Sequence, residues 1–171
     1  LTTLHSTPKT VVDKFSVRID SPDENYIRLL DDTKKTLFSR FNKDEIKITN
    51  EFFSELKDVL RHEYLNALVH NDLTSKNMFW DSEKKRINII DFSDRSFSDP
   101  AIDFAGLWEL SEELVEKVYK LYDGRKDNKF LYRSKLYYKR IPFLMMRGAL
   151  EGYPGSFQGG YKVFRKRFKL I

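Results

Sequence analysis

The sequence predicts a mostly α-helical fold with one small β-hairpin (α+β), and three observations lead there. Apolar residues recur at the helical period through most of the chain: Phe52, Phe53, Leu56, Val59 and Leu60 are one such series. Helix-start signals recur as well, in Ser21-Pro22-Asp23-Glu24 and Ser98-Asp99-Pro100. The helical pattern breaks only in the middle, where Met78-Phe79-Trp80 and the β-branched Ile87-Asn88-Ile89-Ile90 flank the polar stretch Asp81 to Arg86.

Each element follows in order. Leu1-Thr2-Thr3-Leu4-His5 reads as the middle of a helix, so the N-terminus is expected to be cut or processed. A helix follows Ser21, with Tyr26, Leu29, Leu30, Thr33 and Leu37 inward. A second is expected from about Thr49 to Tyr64. Leu68-Val69 is a short apolar run before the hairpin. After Pro100 a helix is expected past Leu107, Leu110, Leu114, Val118 and Leu121 to Gly124, with a break near Glu109. Another begins near Asn128 and should end or kink at Pro142. Gly152, Pro154, Gly155, Gly159 and Gly160 form a loop before a last basic helix, on which Phe164 and Phe168 are expected to dock. The whole, 1–171, reads as a single domain.

Composition narrows the function. Hydrophobic residues make up 40% and charged residues 33%, a globular balance. There is no cysteine, which excludes disulfides and thiolate metal sites and fits a reducing, cytoplasmic setting. No apolar stretch reaches the roughly 18 residues of a membrane span, so no membrane partner is expected. Net charge is +5, and Lys162, Arg165, Lys166, Arg167 and Lys169 crowd the C-terminus. We read them as a solvated helix face complementing the helix dipole rather than as a nucleic-acid surface.

Chemistry concentrates in Val69-His70-Asn71-Asp72-Leu73-Thr74-Ser75-Lys76-Asn77-Met78 and in Ile89-Ile90-Asp91-Phe92-Ser93-Asp94. Phosphoryl transfer needs a carboxylate to orient the acceptor hydroxyl and take its proton, and hard oxygen ligands to hold Mg²⁺ against the phosphates. Asp72 lies in a loop, Asn77 just before the first hairpin strand, and Asp91 at the end of the second. A hairpin joins its outer ends, so Asn77 and Asp91 should be neighbours with Asp72 beside them.

These residues carry a resemblance. His70-x-Asp72-x-x-x-x-Asn77 is similar to the catalytic loop of protein kinases and of aminoglycoside phosphotransferases. Asn71, where protein kinases carry arginine, resembles the antibiotic-kinase side. So does Asp91-Phe92-Ser93-Asp94 followed by Asp99-Pro100-Ala101-Ile102-Asp103-Phe104. The match covers about 35 residues, His70 to Phe104, and implies the C-terminal lobe of a protein-kinase-like fold. It implies Asp72 as catalytic base, Asn77 and Asp91 as Mg²⁺ ligands, ATP or GTP as donor, and His70 as a brace of the loop. Asp99 reads as an N-cap and Asp103 as a buried hydrogen-bond acceptor. Ser93 departs from the family's glycine and would be strained if that position needs a positive φ.

For the acceptor, Asp94, Glu109, Glu112 and Glu113 could form an acidic face suited to an amino sugar. Other small-molecule acceptors (choline, a macrolide, a sugar amine) and a catalytically silent binding module are the competing readings. No glycine-rich phosphate loop or strand-borne lysine precedes Asp72. The N-terminal nucleotide-binding lobe is therefore expected to be missing, and the isolated chain to turn over little.

Overall fold

A computed structural model describes residues 1–61 and 64–171. Along the chain lie α1 (Thr2–His5), α2 (Lys9–Lys14), α3 (Pro22–Thr36), a 3₁₀ turn (Phe38–Arg40) and α4 (Lys43–Leu60). Then come β1 (Ala67–Val69), a 3₁₀ turn (Ser75–Asn77), β2 (Met78–Asp81), β3 (Arg86–Ile89) and β4 (Ser96–Ser98). A 3₁₀ helix (Pro100–Glu109), α5 (Glu112–Leu121), α6 (Phe130–Leu150) and α7 (Phe157–Arg167) complete the order. The fold is mostly helical, as the periodicity requires. No described helix is long and apolar enough to cross a membrane.

The chain divides into two compact units, Leu1–Ser21 with Glu63–Tyr138 and Pro22–His62 with Lys139–Ile171. In the first, β2 and β3 form the expected antiparallel hairpin, with Met78 opposite Ile89 and Asp81 opposite Arg86. A second antiparallel pair joins β1 to β4, Ala67 opposite Ser98 and Val69 opposite Ser96. Phe104, Val115 and Phe130 are fully buried below them, and the Phe104 and Phe130 rings meet edge to face at 4.9 Å. In the second unit Phe52, Phe143 and Phe164 pack with Phe168, whose ring lies 5.0 Å from that of Phe164. The expected docking of the basic helix through Phe164 and Phe168 therefore occurs.

Five expectations change. Gly159 and Gly160, expected in the loop, lie inside α7, because Ser156 caps that helix by accepting the Gly159 N–H at 3.0 Å. The second long helix starts at Lys43 rather than near Thr49, because Asn42 and Glu45 form a reciprocal capping box. It ends at Leu60; of the expected continuation to Tyr64, residues 62 and 63 lie outside the described residues. The segment after Asp99 is 3₁₀ rather than α, and α5 restarts from Ser111, whose hydroxyl accepts from the Leu114 N–H. Pro142 does not end its helix, since α6 continues to Leu150. The missing N–H costs about 3 kcal/mol, but burying an apolar side chain returns about 1.5–3 kcal/mol each. Phe143 and Met146, both fully buried just beyond the proline, offset it.

Candidate active site

The site is assembled within the first unit. As the chain leaves β1 it turns sharply, and Asn71 adopts a left-handed φ of 69°. The turn is fastened from below by Asp103, fully buried in the 3₁₀ helix. Its Oδ2 accepts the His70 N–H and its Oδ1 the Asn71 N–H, both at 2.8 Å. The same Oδ2 meets Nε2 of the buried His5 at 3.0 Å, and Nδ1 of His5 meets the Tyr122 hydroxyl at 2.8 Å. Gly106 completes the seat. A Cβ there would fall 1.9 Å from the Leu73 carbonyl oxygen, so only glycine lets the 3₁₀ helix lie this close to the loop.

His70 is buried and uses both ring nitrogens. Nε2 donates to the Ile90 carbonyl at 2.8 Å, which leaves Nδ1 to accept from the Asp72 N–H at 3.3 Å. That pattern assigns the neutral Nε2–H tautomer.

Two of the singled-out side chains bond to each other, and the third, Asp91, lies within electrostatic reach of Asp72. Asn77 closes the 3₁₀ turn, and its carbonyl accepts the Ile90 N–H at 3.1 Å, so hairpin pairing runs one step beyond the strands. Its side-chain Nδ2 donates to the Asp72 carbonyl at 2.8 Å and to Asp72 Oδ2 at 3.1 Å. Asp91 follows Ile90, two residues past the end of β3 rather than on it, with φ of 61°. Its Oδ1 accepts from the Ser93 hydroxyl at 2.6 Å and from the Ser93 N–H at 3.4 Å. Ser93 is not among the residues with positive φ, so serine in place of glycine brings no backbone strain.

The charges respond to this crowding. Partial burial raises the Asp72 carboxyl above its ordinary value against the Asn77 hydrogen bond, and the Asp94 and Asp91 charges push it up further. The Ser93 hydrogen bonds hold Asp91 below the ordinary range. Asp94 thus lies in the electrostatic reach of Asp72, and its carbonyl accepts from Asn71 Nδ2 at 3.3 Å. Glu112 and Glu113 are engaged elsewhere, with Lys135 at 3.1 Å and Lys117 at 2.6 Å. Glu109 ends the 3₁₀ helix and also has an interaction partner.

The donor set suits Mg²⁺. Among the described residues neither Asn77 Oδ1 nor Asp91 Oδ2 accepts a hydrogen bond. One carboxylate and one amide oxygen are the sparse, hard share Mg²⁺ takes from a protein when phosphates and waters supply the rest. No cluster of three or more histidine or acidic side chains able to hold a metal occurs among the described residues.

Asp99 caps the 3₁₀ helix through the Ala101 N–H at 3.1 Å. It also does something the sequence did not suggest. Buried Arg133 of α6 grips it through Nε at 2.6 Å and Nη2 at 3.1 Å, and reaches Asp127 at 2.8 Å. The Tyr137 hydroxyl donates to the same carboxylate at 2.7 Å. His5, Gly106 and Arg133 are the supporting residues that sequence reasoning missed. Only Gly106, a lone glycine inside an expected helix, left a local signal.

A catalytic-type loop and a hairpin end meeting on a helical body define a lobe of the kinase-like fold. The chain belongs to the phosphotransferase enzyme family (APH), whose sequence model matches residues 1–134. No curated protein sequence matches it. Among solved structures it is similar to the GDP and kanamycin complex of the aminoglycoside phosphotransferase APH(2")-IIia (TM-score 0.85, 16% identity, covering 96% of this chain and 57% of that one). It is also similar to macrolide 2'-phosphotransferase type I (TM-score 0.73, 18% identity, 95% and 55%). ADP-bound aminoglycoside phosphotransferase APH(2'')-Ib is a third (TM-score 0.68, 19% identity, 96% and 58%). At these identities the likeness is one of fold. The chain spans little more than half the length of the structures it matches.

Proposed function

We propose that this lobe, paired with a nucleotide-binding N-terminal lobe, transfers the γ-phosphoryl group of ATP or GTP to a hydroxyl of an aminoglycoside. The observation that carries the reading is the Asn77 amide bonded to Asp72 at 3.1 Å, with Asp91 brought alongside by the hairpin. Asn77 Nδ2 holds Asp72 Oδ2, and Asp72 Oδ1 is left to orient the acceptor hydroxyl and take its proton. A raised pKa makes Asp72 a stronger base than an ordinary carboxylate. Asn77 Oδ1 and Asp91 Oδ2 are the oxygens that would hold Mg²⁺, which would supply charge neutralisation for the phosphates. His70, Asp99 and Asp103 do no chemistry in this scheme; they fix the backbone beneath it.

The acceptor class rests on the structures similar to this chain, one a complex with kanamycin. A second reading changes only the acceptor. Because Glu112 and Glu113 are already paired with lysines, less acidic surface is free for a polycation, which favours a macrolide, choline or a simple sugar amine. Nucleoside diphosphate release, measured with ATP and with GTP against kanamycin, a macrolide and choline, separates the two. The protein carrying both lobes should lose at least about a hundredfold in kcat on Asp72→Asn, the scale of general-base catalysis, and the 171-residue chain alone should turn over little. Undiminished turnover in Asp72→Asn would overturn the assignment of the base, and robust turnover by the isolated lobe would overturn the need for a partner lobe.

A further inference from the structure

Ser93 is the part of the site that the proposed chemistry leaves unused. Its hydroxyl meets Asp91 Oδ1 at 2.6 Å, the shorter of the two hydrogen bonds on that carboxylate. A glycine would retain only the weaker bond from the backbone N–H, at 3.4 Å. The local backbone explains why serine is accommodated. Residues Phe92 to Arg95 form a turn closed by the Arg95 N–H on the Phe92 carbonyl at 3.2 Å, and Ser93 enters it without a left-handed φ.

The contact matters because little else holds Asp91. Its side chain is exposed, and the residue sits in a left-handed backbone conformation at the loop's edge. An exposed carboxylate samples several rotamers, and a ligand that must first be ordered binds more weakly than one already in place. The hydroxyl occupies Oδ1 and leaves Oδ2 as the oxygen with no hydrogen-bond partner among the described residues. One-oxygen ligation suits a small ion with octahedral demands; two-oxygen ligation suits larger ions such as Ca²⁺.

We propose that Ser93 is a positioning residue that fixes Asp91 as a one-oxygen ligand and so presets the cation site. This rests on the reading of Asp91 and Asn77 as metal ligands. No bond is made or broken, and the effect is on the geometry and affinity of the site.

The test is titration of the 171-residue chain with Mn²⁺ alone, as a paramagnetic stand-in for Mg²⁺, following the free-ion signal by electron paramagnetic resonance. Ser93→Ala should weaken binding about tenfold, the low end for loss of an outer-shell hydrogen bond. Ser93→Thr keeps the hydroxyl and should stay close to the unaltered chain, a rescue that a merely structural role would not require. Equal Mn²⁺ affinity in Ser93→Ala and the unaltered chain, while Asp91→Asn and Asn77→Ala lose binding, would overturn the role of Ser93 alone. Mn²⁺ binding that survives Asp91→Asn, or no saturable binding by the unaltered chain, would overturn the ligand assignment and with it the proposal.

Discussion

Replacing Asp103 with asparagine changes one atom and should disable the loop. The carboxylate is fully buried and receives the His70 N–H, the Asn71 N–H and Nε2 of His5 at 2.8, 2.8 and 3.0 Å. Asparagine offers one oxygen and one NH₂. If the oxygen takes the Oδ2 position, the NH₂ faces the Asn71 N–H, donor against donor. The charge-assisted bond to Asn71, about 1.5–3 kcal/mol, is lost, and leaving the part-buried Asn71 N–H without its acceptor costs about 1–2 kcal/mol more. A destabilisation of about 3–5 kcal/mol follows, against a total stability of about 5–15 kcal/mol for a typical domain. Urea unfolding of the Asp103→Asn chain gives the loss directly, provided its m-value is unchanged. Amide exchange localises it, because the Asn71 amide should lose protection before amides of α4 do. A loss below about 1 kcal/mol, where only a single ordinary hydrogen bond would be at stake, would refute the view that Asp103 holds the loop. So would an Asn71 amide as protected as before.

Two further perturbations test the surroundings. Arg133→Met should cost about 3–5 kcal/mol, because it strands buried Asp99 without its cation while leaving the volume filled. A urea midpoint close to that of the unaltered chain would show that the Tyr137 hydroxyl and the Ala101 N–H suffice for Asp99. The pH dependence has two signs to check. Asp72 must be ionised to act as base, so kcat/KM should fall as it protonates on the acid side, and Asp94→Asn should move that limb down. For stability the raised folded-state pKa means that ionised Asp72 opposes folding above that pKa, a penalty that disappears as pH falls below the unfolded value. Asp72→Asn should therefore melt slightly higher than the unaltered chain near neutral pH and equally at low pH. A lower Tm at neutral pH would contradict the crowding.

Asp72, Asn77 and Asp91 were legible because the structure that joins them is local. A polar turn between two apolar runs forces a hairpin, and the hairpin alone carries Asn77 to Ile90 and Asp91. What supports them was illegible because it is distant. His5 is one histidine in a short helix, 98 residues from the carboxylate it meets. Arg133 lies 34 residues from Asp99 on a helix with other basic residues, and no pattern marks the one that turns inward. Strand β4, Ser96-Phe97-Ser98, has a single apolar residue and exists through its pairing with β1. The start of α4 was a different kind of miss. Asn42 and Glu45 stand three apart ahead of an apolar series, which is the capping signature itself, with asparagine in place of serine or threonine.

The two left-handed residues of the site, Asn71 and Asp91, lie on opposite sides of one imidazole. Asn71 precedes Asp72, whose N–H donates to Nδ1 of His70; Asp91 follows Ile90, whose carbonyl accepts from Nε2. Each strained turn could relax on its own if only its neighbours in sequence held it. The ring prevents that, because its two nitrogens sit a fixed distance apart in a rigid plane and engage both turns at once. Phe92 packs against the ring edge to face at 4.7 Å. The separation of the proposed base from the proposed metal ligand is then set by a covalent ring buried under the loop rather than by the rotamers of two exposed carboxylates. A histidine that touches no substrate in this scheme can therefore matter as much to the proposed phosphoryl transfer as the aspartates it spaces.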